Sequence, residues 1–435
     1  MEALYGFAVF MGALLVVLAT GAPVAVATGL LGVLGVYMFL PPAAMSQLSN
    51  IAFSQASNYV LVVVPLFIMM GEALSATTIS KDLFTAARLW LRRLPGALAV
   101  ATIFACTCFA AVCGSSPVTA GTIGKMSIPE MLRNKYQPGL AFGATAAGGT
   151  LGILIPPSIP MILYGVITET SIGSLFIAGI VPGLLTAVLL VATVMFKVWR
   201  DPTIAPRGEE LNVSRREKIR SLCAVGPVLT LVIAVLGSIY VGIATPIEAG
   251  AVGAAGALVI ARVMGSLRRS EMSLILSNTV TTTAMFVLLI IGGLFSAFVL
   301  ARLGIPQGMA TWLVSWDVPA WLILVFINLL LIVLGMFMDP MSLLVMIVPV
   351  FFPAVVALGY DPVWFGVMMV VNLEIAAITP PVGFNLFVLK SVIPSADMRE
   401  IINGSLIFIV PLAASIGILI AWPEIALFLP RLMMN

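Results

Sequence analysis

Gly114-Ser-Ser-Pro117 and Ile155-Pro-Pro-Ser158 interrupt two apolar stretches in the first half of the chain, and the same skeleton returns in the second half. In one ungapped register, Ser115 corresponds to Asp339 and Ile155 to Thr379. This register contains five identities, four of them proline, at Pro129/Pro353, Tyr136/Tyr360, Pro138/Pro362, Pro156/Pro380 and Pro157/Pro381. Because proline and glycine break helices, each copy places a break inside an apolar segment. In a membrane, main chain freed in this way must line a cavity or bind a ligand.

The composition is that of a membrane protein. Of the 435 residues, 61% are hydrophobic and 9% are charged, and the mean hydropathy is +1.18. Several apolar runs exceed the roughly 18 residues that identify a membrane-spanning helix, so an all-α polytopic membrane protein is predicted. The chain contains no histidine, which excludes histidine catalysis, histidine metal sites and histidine proton relays. The four cysteines lie in apolar surroundings, which favours packing over disulfide or metal binding.

Residues 1–198 are predicted to form the first of two repeats. The segment 96–132 breaks at Gly114–Pro117 into two apolar halves, each shorter than the roughly 20 residues that a span needs. It is therefore predicted to be a re-entrant hairpin with its tip at Ser115-Ser116. Charged residues interleaved with apolar ones predict an amphipathic arm helix at 80–94. The other segments are spans at 5–20, 23–40, 52–75 and 173–198 and a broken span at 139–168.

Residues 199–221 form the only long polar stretch and predict a linker between the repeats. This stretch carries six basic residues, which place it in the cytoplasm by the positive-inside rule. The second repeat, residues 222–435, is predicted to contain the same kinds of element in the same order. They are spans at 223–243, 246–264, 278–301 and 404–422, an arm helix at 303–317, a hairpin at 320–357 and a broken span at 363–395.

Counting outward from the cytoplasmic linker orients every segment. A hairpin crosses nothing, so each repeat makes five crossings, and because five is odd the second repeat is inverted and the N-terminus is periplasmic. Basic residues at the base of the first hairpin place the arm helix 80–94 in the cytoplasm, and Asp317 and Asp361 place the arm helix 303–317 in the periplasm. The two tips are expected to meet near the midplane, each beside the broken span of its own repeat. Inverted repeats with opposed hairpins suit alternating access.

Polar groups at membrane depth cluster around the breaks. The first repeat offers Ser115, Ser116, Thr119 and the carbonyls around Gly152 and Ile155; the second offers Asp339, Asn372, Glu374, Thr379, Asn385 and the carbonyls around Gly335 and Ala376. These hard oxygen ligands suit an alkali cation better than a transition metal. The N-termini of half-helices favour an anion. The sequence therefore predicts a site for Na⁺ together with an anionic substrate.

Alternatives remain open at this point. Serine, threonine and glycine in membrane helices also serve close packing, and Glu374 is equally consistent with a structural pair. Asp339 favours function, because a carboxylate near the bilayer centre costs roughly 2.5–3.5 kcal/mol. A channel is the second interpretation, since polar hairpin tips also build filters. An enzyme with Ser115 and Lys125 is third, although about two to three helical turns separate them, and the chain has no phosphate-loop motif for an ATP-driven pump.

Five motifs resemble the large membrane subunit of tripartite ATP-independent periplasmic (TRAP) transporters, and the resemblance covers essentially the whole chain. They are Gly114-Ser-Ser-Pro-Val-Thr119, Gly152-Ile-Leu-Ile-Pro-Pro-Ser-Ile-Pro160, Leu175-Phe-Ile-Ala-Gly-Ile-Val-Pro-Gly183, Gly335-Met-Phe-Met-Asp-Pro340 and Ile378-Thr-Pro-Pro-Val-Gly-Phe-Asn385. The resemblance implies an elevator-type importer of the bacterial inner membrane that is not an enzyme and uses Na⁺ as coupling ion, with no other cofactor. Its cargo would be a small organic acid, such as a dicarboxylate, keto acid, sugar acid or sialic acid. Its partners would be a small four-helix membrane subunit, as a separate chain, and a periplasmic substrate-binding protein.

The same motifs imply two sodium sites, one in each repeat. Carried over residue by residue, site 1 consists of Ser115, Ser116, Gly152, Ile155 and Pro157, and site 2 of Gly335, Asp339, Ala376, Thr379 and Val382. The candidates for substrate contact are Ser116, Thr119, Ser158, Asp339 and Asn385. No intramembrane arginine or lysine stands out as a clamp for the substrate carboxylate.

Overall fold

The fold consists of helices, with no strand, in the part of the chain that the computed structural model describes, residues 2–206 and 214–434. The helices of the first half are α1 (Glu2–Ala19), α2 (Val24–Phe39), α3 (Met45–Ala56), α4 (Val63–Ser75), α5 (Ile79–Leu91), α6 (Ala97–Cys113), α7 (Ser116–Arg133), α8 (Pro138–Thr150), α9 (Ile159–Thr168) and α10 (Ile172–Arg200). Those of the second half are α11 (Arg215–Tyr240), α12 (Pro246–Val263), α13 (Arg269–Arg302), α14 (Ile305–Val314), α15 (Ala320–Gly335), α16 (Pro340–Ala357), α17 (Pro362–Ile378), α18 (Phe384–Val392), α19 (Met398–Leu406), α20 (Ile409–Ala421) and α21 (Glu424–Met434). Six helical segments of these described residues are long and apolar enough to cross a membrane.

Two of the close helix crossings that join the halves of the chain involve its first four helices. Helix α2 lies against α13, and α4 lies against α12. Glycines permit the approach: a Cβ added at Gly32 would lie 2.5 Å from Cβ of Phe295, and one added at Gly253 would lie 2.7 Å from Sδ of Met70. Each half therefore gives one helix to each crossing. We call helices α1–α4 and α11–α13 the scaffold.

Two helical hairpins turn inside the bundle, one between α6 and α7 and the other between α15 and α16. Between α6 and α7, Gly114 has a φ of +62°, a left-handed conformation that glycine adopts without strain. Between α15 and α16, Asp339 is the residue before the first turn of α16. A proline in the first turn of α7 and of α16 favours a helix start there, because it has no N–H group to leave unpaired.

The two broken spans run from one hairpin to the other. Helix α8 packs against α7, and α17 packs against α15 and α16, so the first half of each broken span contacts the hairpin of its own repeat. After the breaks at 154–158 and 379–383, α9 packs against α16 and α18 packs against α7. Each hairpin tip contacts the break of its own broken span, because the nitrogen of Ile159 donates to the oxygen of Gly114 at 3.4 Å and that of Val382 to the oxygen of Met336 at 3.1 Å. The helix that follows each break packs against the opposite hairpin.

Helix bounds differ from the prediction at both ends of the second half. Helix α11 begins at Arg215, inside the predicted linker, where Ser214 and Glu217 form a reciprocal capping box. Residues 207–213 of that linker lie outside the described residues. The predicted last span at 404–422 is divided into α19 and α20, and α21, which was not predicted, packs against α10.

The segments predicted as arms contain α5 and α14. Helix α5 packs against α6 and α11, whereas α14 packs against α1 and α16. Glu130 of α7 accepts hydrogen bonds from Arg88 of α5 and from Arg133, both at 2.6 Å. This ion cluster ties the first arm to the base of the first hairpin.

We expect Gly404→Ala to destabilise the fold. A Cβ at Gly404 would lie 2.0 Å from the main-chain oxygen of Gly139 in α8, which cannot move unless its helix moves. Overpacking of this kind costs about 1–3 kcal/mol, so the melting temperature of the purified protein should fall by several degrees. Gly417→Ala in α20 is the control, because no neighbouring atom lies within 4 Å of its added Cβ. Equal melting temperatures for the two variants would contradict the close crossing of α8 and α19.

Candidate functional site

The two hairpin tips and the two helix breaks border one cavity of about 490 Å³. Its far wall belongs to the scaffold, namely the turn between α1 and α2 and one face of α13. The lining residues are Pro23, Val24, Ala25, Ser115, Ser116, Pro117, Ile153, Ile159, Thr282, Met285, Phe286, Leu289, Asp339, Pro340, Met341, Ser342, Ala377, Phe384 and Asn385. Among these residues Asp339 carries the only charge. The cavity therefore brings together the tips of the two hairpins, which lie far apart in the sequence.

One polar wall of the cavity joins the two repeats directly. The amide nitrogen of Asn385, in the first turn of α18, donates to Oγ of Ser116 at 2.7 Å and to the main-chain oxygen of Ala146 at 3.1 Å. Oγ of Ser116 also lies 3.0 Å from Oδ1 of Asn385. Both side chains are almost fully buried. The first hairpin tip is thus held by a residue of the second broken span.

The opposite polar wall is built around Asp339. Its Oδ2 accepts from the main-chain nitrogens of Met341 and Ser342, each at 3.1 Å, and its Oδ1 accepts from Oγ of Ser342. The carboxylate therefore caps the N-terminus of α16 while remaining half-buried at the cavity. Sequence reasoning missed Ser342. Its position three residues after an N-terminal aspartate in a helix was the available signal.

The structure brings the five residues of candidate site 1 together. A Cβ added at Gly152 would lie 2.6 Å from the main-chain oxygen of Ser115, and one at Gly114 would lie 2.6 Å from that of Pro157. The main chain of the break is thus packed directly on the hairpin tip. Ser116, Ile155 and Pro157 are buried in the same region. This arrangement places main-chain oxygens of the tip against the broken span, which is suitable for a cation bound mainly by carbonyls.

Candidate site 2 has the corresponding contacts in the second repeat. A Cβ added at Gly335 would lie 2.5 Å from Cβ of Ala376, and the main-chain nitrogen of Val382 donates to the oxygen of Met336 at 3.1 Å. Oγ1 of Thr379 donates to the oxygen of Ile375 at 2.5 Å. Asp339 lies at the tip of this hairpin. The end of α15 and the break after α17 therefore meet as their counterparts do in site 1.

Two substrate candidates do not line the cavity. Thr119 is fully buried, and its hydroxyl donates to the main-chain oxygen of Ser115 at 2.8 Å. The hydroxyl of Ser158 donates to the oxygen of Ile153 and accepts from the nitrogen of Met161 at the start of α9. Both hydroxyls support the main chain around the cavity, whereas Ser116, Asp339 and Asn385 reach it.

Two buried polar residues of α17 lie behind the cavity wall. Asn372 donates to Oδ1 of Asn328 and to the oxygen of Met368. Glu374 is fully buried, and neither carboxyl oxygen has a hydrogen-bond partner within the described residues. Neither Asn372 nor Glu374 is among the cavity-lining residues.

Known proteins resemble the chain over most of its length. The family model of the tripartite ATP-independent periplasmic transporter, DctM component, matches residues 11–425. The C4-dicarboxylate TRAP transporter large permease protein DctM of Pseudomonas aeruginosa is 36% identical, over 93% of each chain. The sialic acid TRAP transporter large permease protein SiaM of Vibrio cholerae is 34% identical, over 87% of this chain and 88% of its own. The isethionate TRAP transporter permease protein DctMQ of Oleidesulfovibrio alaskensis is also 34% identical, over 88% of this chain and 60% of its own.

A solved structure shares the fold. The crystal structure of the Alcanivorax borkumensis YdaH transporter superimposes with a TM-score of 0.60 at 17% identity, over 88% of this chain and 90% of that chain. The extent of the family match and the identity to the large permeases lead to one conclusion: this chain belongs to the TRAP transporter family, as its large permease component.

Proposed function

We propose that this chain couples the inward movement of Na⁺ to the uptake of a small organic acid across the bacterial inner membrane. Family membership supports secondary transport with a binding protein. The observation that carries the finer proposal is the cavity between two opposed hairpin tips, each tip packed against a helix break. The oxygens of Ser115, Ser116 and Asp339 at its polar walls are of the hard type that suits Na⁺.

Two inverted repeats are part of this proposal. The helix bounds recur at one offset, so that α7 corresponds to α16 and α9 to α18. The contacts recur with partners exchanged, because α9 packs on α16 just as α18 packs on α7. Helix α2 corresponds to α12 and α4 to α13, and here too the partners are exchanged, because α2 packs on α13 just as α12 packs on α4. Exchanged partners are expected of two repeats related by a two-fold axis, and the odd number of predicted crossings in each repeat makes that arrangement inverted.

The grouping of the elements supports the proposal of an elevator movement. The hairpins and broken spans pack on one another through α7, α8, α9, α16 and α18. In the proposed movement this block carries the tip walls of the cavity past the scaffold, which supplies the far wall. The arms α5 and α14 connect the scaffold to the hairpins on opposite membrane faces.

Na⁺ is proposed to bind before the substrate. Among the described residues that line the cavity, only Asp339 is charged, so an anion that enters first meets an unbalanced carboxylate. Two bound Na⁺ ions would make the net charge at the cavity positive and so attract the anion. Site 1 is formed by Ser115, Ser116, Gly152, Ile155 and Pro157, and site 2 by Gly335, Asp339, Ala376, Thr379 and Val382. The carbonyls of both sites replace the hydration shell of the ion.

The permease is proposed to act with two partners, a small four-helix membrane subunit that is a separate chain and a periplasmic substrate-binding protein. The word tripartite in the family description supports three components. The isethionate relative, a longer DctMQ permease, is consistent with one chain combining two components in some systems. Copurification of a separately tagged small subunit tests this part of the proposal.

Uptake should require all the proposed components together. Proteoliposomes that contain the permease and its small subunit should accumulate substrate only with an inward Na⁺ gradient and the binding protein outside. A potassium gradient of the same size serves as control. Sodium current that flows without substrate would instead support a channel with polar hairpin tips.

Asp339→Asn should weaken the apparent affinity for Na⁺ and slow uptake, because it removes the charge that balances the dehydrated cation. Asp361→Asn is a matched control: Asp361 caps α17 through the nitrogens of Val363 and Trp364 but lies outside the cavity. The measurement is initial uptake against Na⁺ concentration in proteoliposomes. An unchanged sodium curve for Asp339→Asn would remove Asp339 from the sodium site.

The inverted topology places the N-terminus in the periplasm and predicts opposite labelling of two introduced cysteines. Arg207→Cys, in the cytoplasmic linker and outside the described residues, should react in whole cells only with membrane-permeant maleimides. Ser315→Cys, directly after α14, should react with impermeant maleimides, because that arm lies in the periplasm. A variant without native cysteines is the background. Labelling of both positions from the same side would rule out the inverted arrangement.

A further inference from the structure

The charge and the shape of the cavity restrict the kind of acid that it accepts. None of the lining residues is basic. Two lysines lie on helices that reach the cavity, Lys125 on α7 and Lys390 on α18. Lys125 is exposed on a later turn of its helix, and the Nζ of Lys390 donates to the main-chain oxygens of Pro394 and Ala396, at 2.9 and 2.7 Å. Among the described residues, none that lines the cavity therefore places a positive charge beside the substrate.

The helix ends at the cavity offer one paired N-terminal site for a carboxylate. Five helices begin there: α2, α7, α9, α16 and α18. The N-termini of α9 and α16 are capped by the side chains of Ser158 and Asp339, whereas α2, α7 and α18 have no side-chain cap. The ends of α7 and α18 meet through the contact between Ser116 and Asn385, whereas α2 begins in the apolar stretch 23–25 of the scaffold wall. The protein thus supplies one carboxylate itself and offers uncapped N–H groups, which favour an anion, on the other side.

Charge balance also favours a substrate with a single carboxylate. With one Na⁺ at each of the two proposed sites and the charge of Asp339, a single substrate carboxylate makes the cavity neutral. A second carboxylate would add a negative charge that neither the two Na⁺ nor any lining side chain balances, which is unfavourable. A dicarboxylate is therefore disfavoured by charge.

The scaffold wall is suited to an apolar body. Met285, Phe286 and Leu289 project from α13 into the cavity, and Thr282 is the only polar side chain that α13 contributes. Ile153 and Ile159 lie on either side of the first helix break, and both line the cavity. Hydroxyl groups of a sugar acid would lack hydrogen-bond partners on this wall, whereas alkyl or aryl groups would be buried favourably.

We propose that the substrate is a monocarboxylate with an apolar aliphatic or aromatic body, with its carboxylate at the N-termini of α7 and α18 and its body against α13. This inference rests on the proposed function, since it uses the two sodium sites. It narrows the class of small organic acids by excluding dicarboxylates and sugar acids.

The test compares three acids on the purified permease with its small subunit, without the binding protein. The probes are 4-methyl-2-oxopentanoate, succinate and gluconate, and the readout is the melting temperature in sodium or potassium buffer. We expect 4-methyl-2-oxopentanoate to stabilise the complex only in sodium, at concentrations about tenfold or more below those that the other two acids need. Equal or stronger stabilisation by succinate or gluconate, or none by the monocarboxylate, would overturn the proposal. If sodium itself failed to shift the melting temperature, the proposed sodium coupling would fail instead.

A variant that supplies the missing cation provides an independent arm. Met285 is 61% exposed, so Met285→Arg can be introduced at the cavity without filling a core position. With Met285→Arg, succinate should raise the melting temperature of the complex in sodium buffer, which it should not do in wild type. Met285→Gln, of similar size but uncharged, should behave as wild type. If Met285→Gln responded to succinate as strongly as Met285→Arg, the lack of a cation would not be what excludes dicarboxylates. If Met285→Arg did not fold, the comparison of acids on the wild-type complex would still decide.

Discussion

Main-chain polar groups that are freed at membrane depth must find partners inside the protein, and the rest of this structure depends on how they do so. The first break is satisfied by Ser158, which bridges the oxygen of Ile153 and the nitrogen of Met161. The second is satisfied across elements, where the nitrogen of Val382 donates to the oxygen of Met336. Asn385 adds a bond from the second repeat to the oxygen of Ala146 in the first. Neither broken span is complete without its neighbours, so the site forms only when both repeats fold together.

The two repeats are alike in backbone and differ in charge. Ser115 and Asp339 occupy corresponding positions, but only Asp339 caps the following helix with a carboxylate. One side of the cavity therefore favours an anion, whereas the carboxylate of Asp339 on the other side repels one. Such an asymmetry orients a substrate that has one charged end, and a perfectly symmetric pair of tips would not do so.

Close packing sets how the proposed movement takes place. A Cβ at Gly293 of α13 would lie 1.6 Å from Cγ1 of Val345 in α16, so the scaffold and the second hairpin touch without a gap. In an elevator movement, apolar contacts of this kind slide. They suit the task because dispersion contacts have no fixed direction, whereas the hydrogen bonds between tips and breaks do. In the proposed movement the polar network would stay within the block of hairpins and broken spans, while the contact with the scaffold at Gly293 is apolar.

The sequence by itself determined the membrane class, both hairpins and the position of each helix break, because proline, glycine and charge act over a few residues. It also placed Ser116, Asp339 and Asn385 among the candidates that reach the cavity. Only the tertiary structure decided that α9 and α18 pair with the opposite hairpin, that Thr119 and Ser158 face the main chain rather than the cavity, and that α13 forms the apolar wall. It also added Ser342 and α21. These features depend on which distant segments pack together, and periodicity within a single helix does not determine that choice.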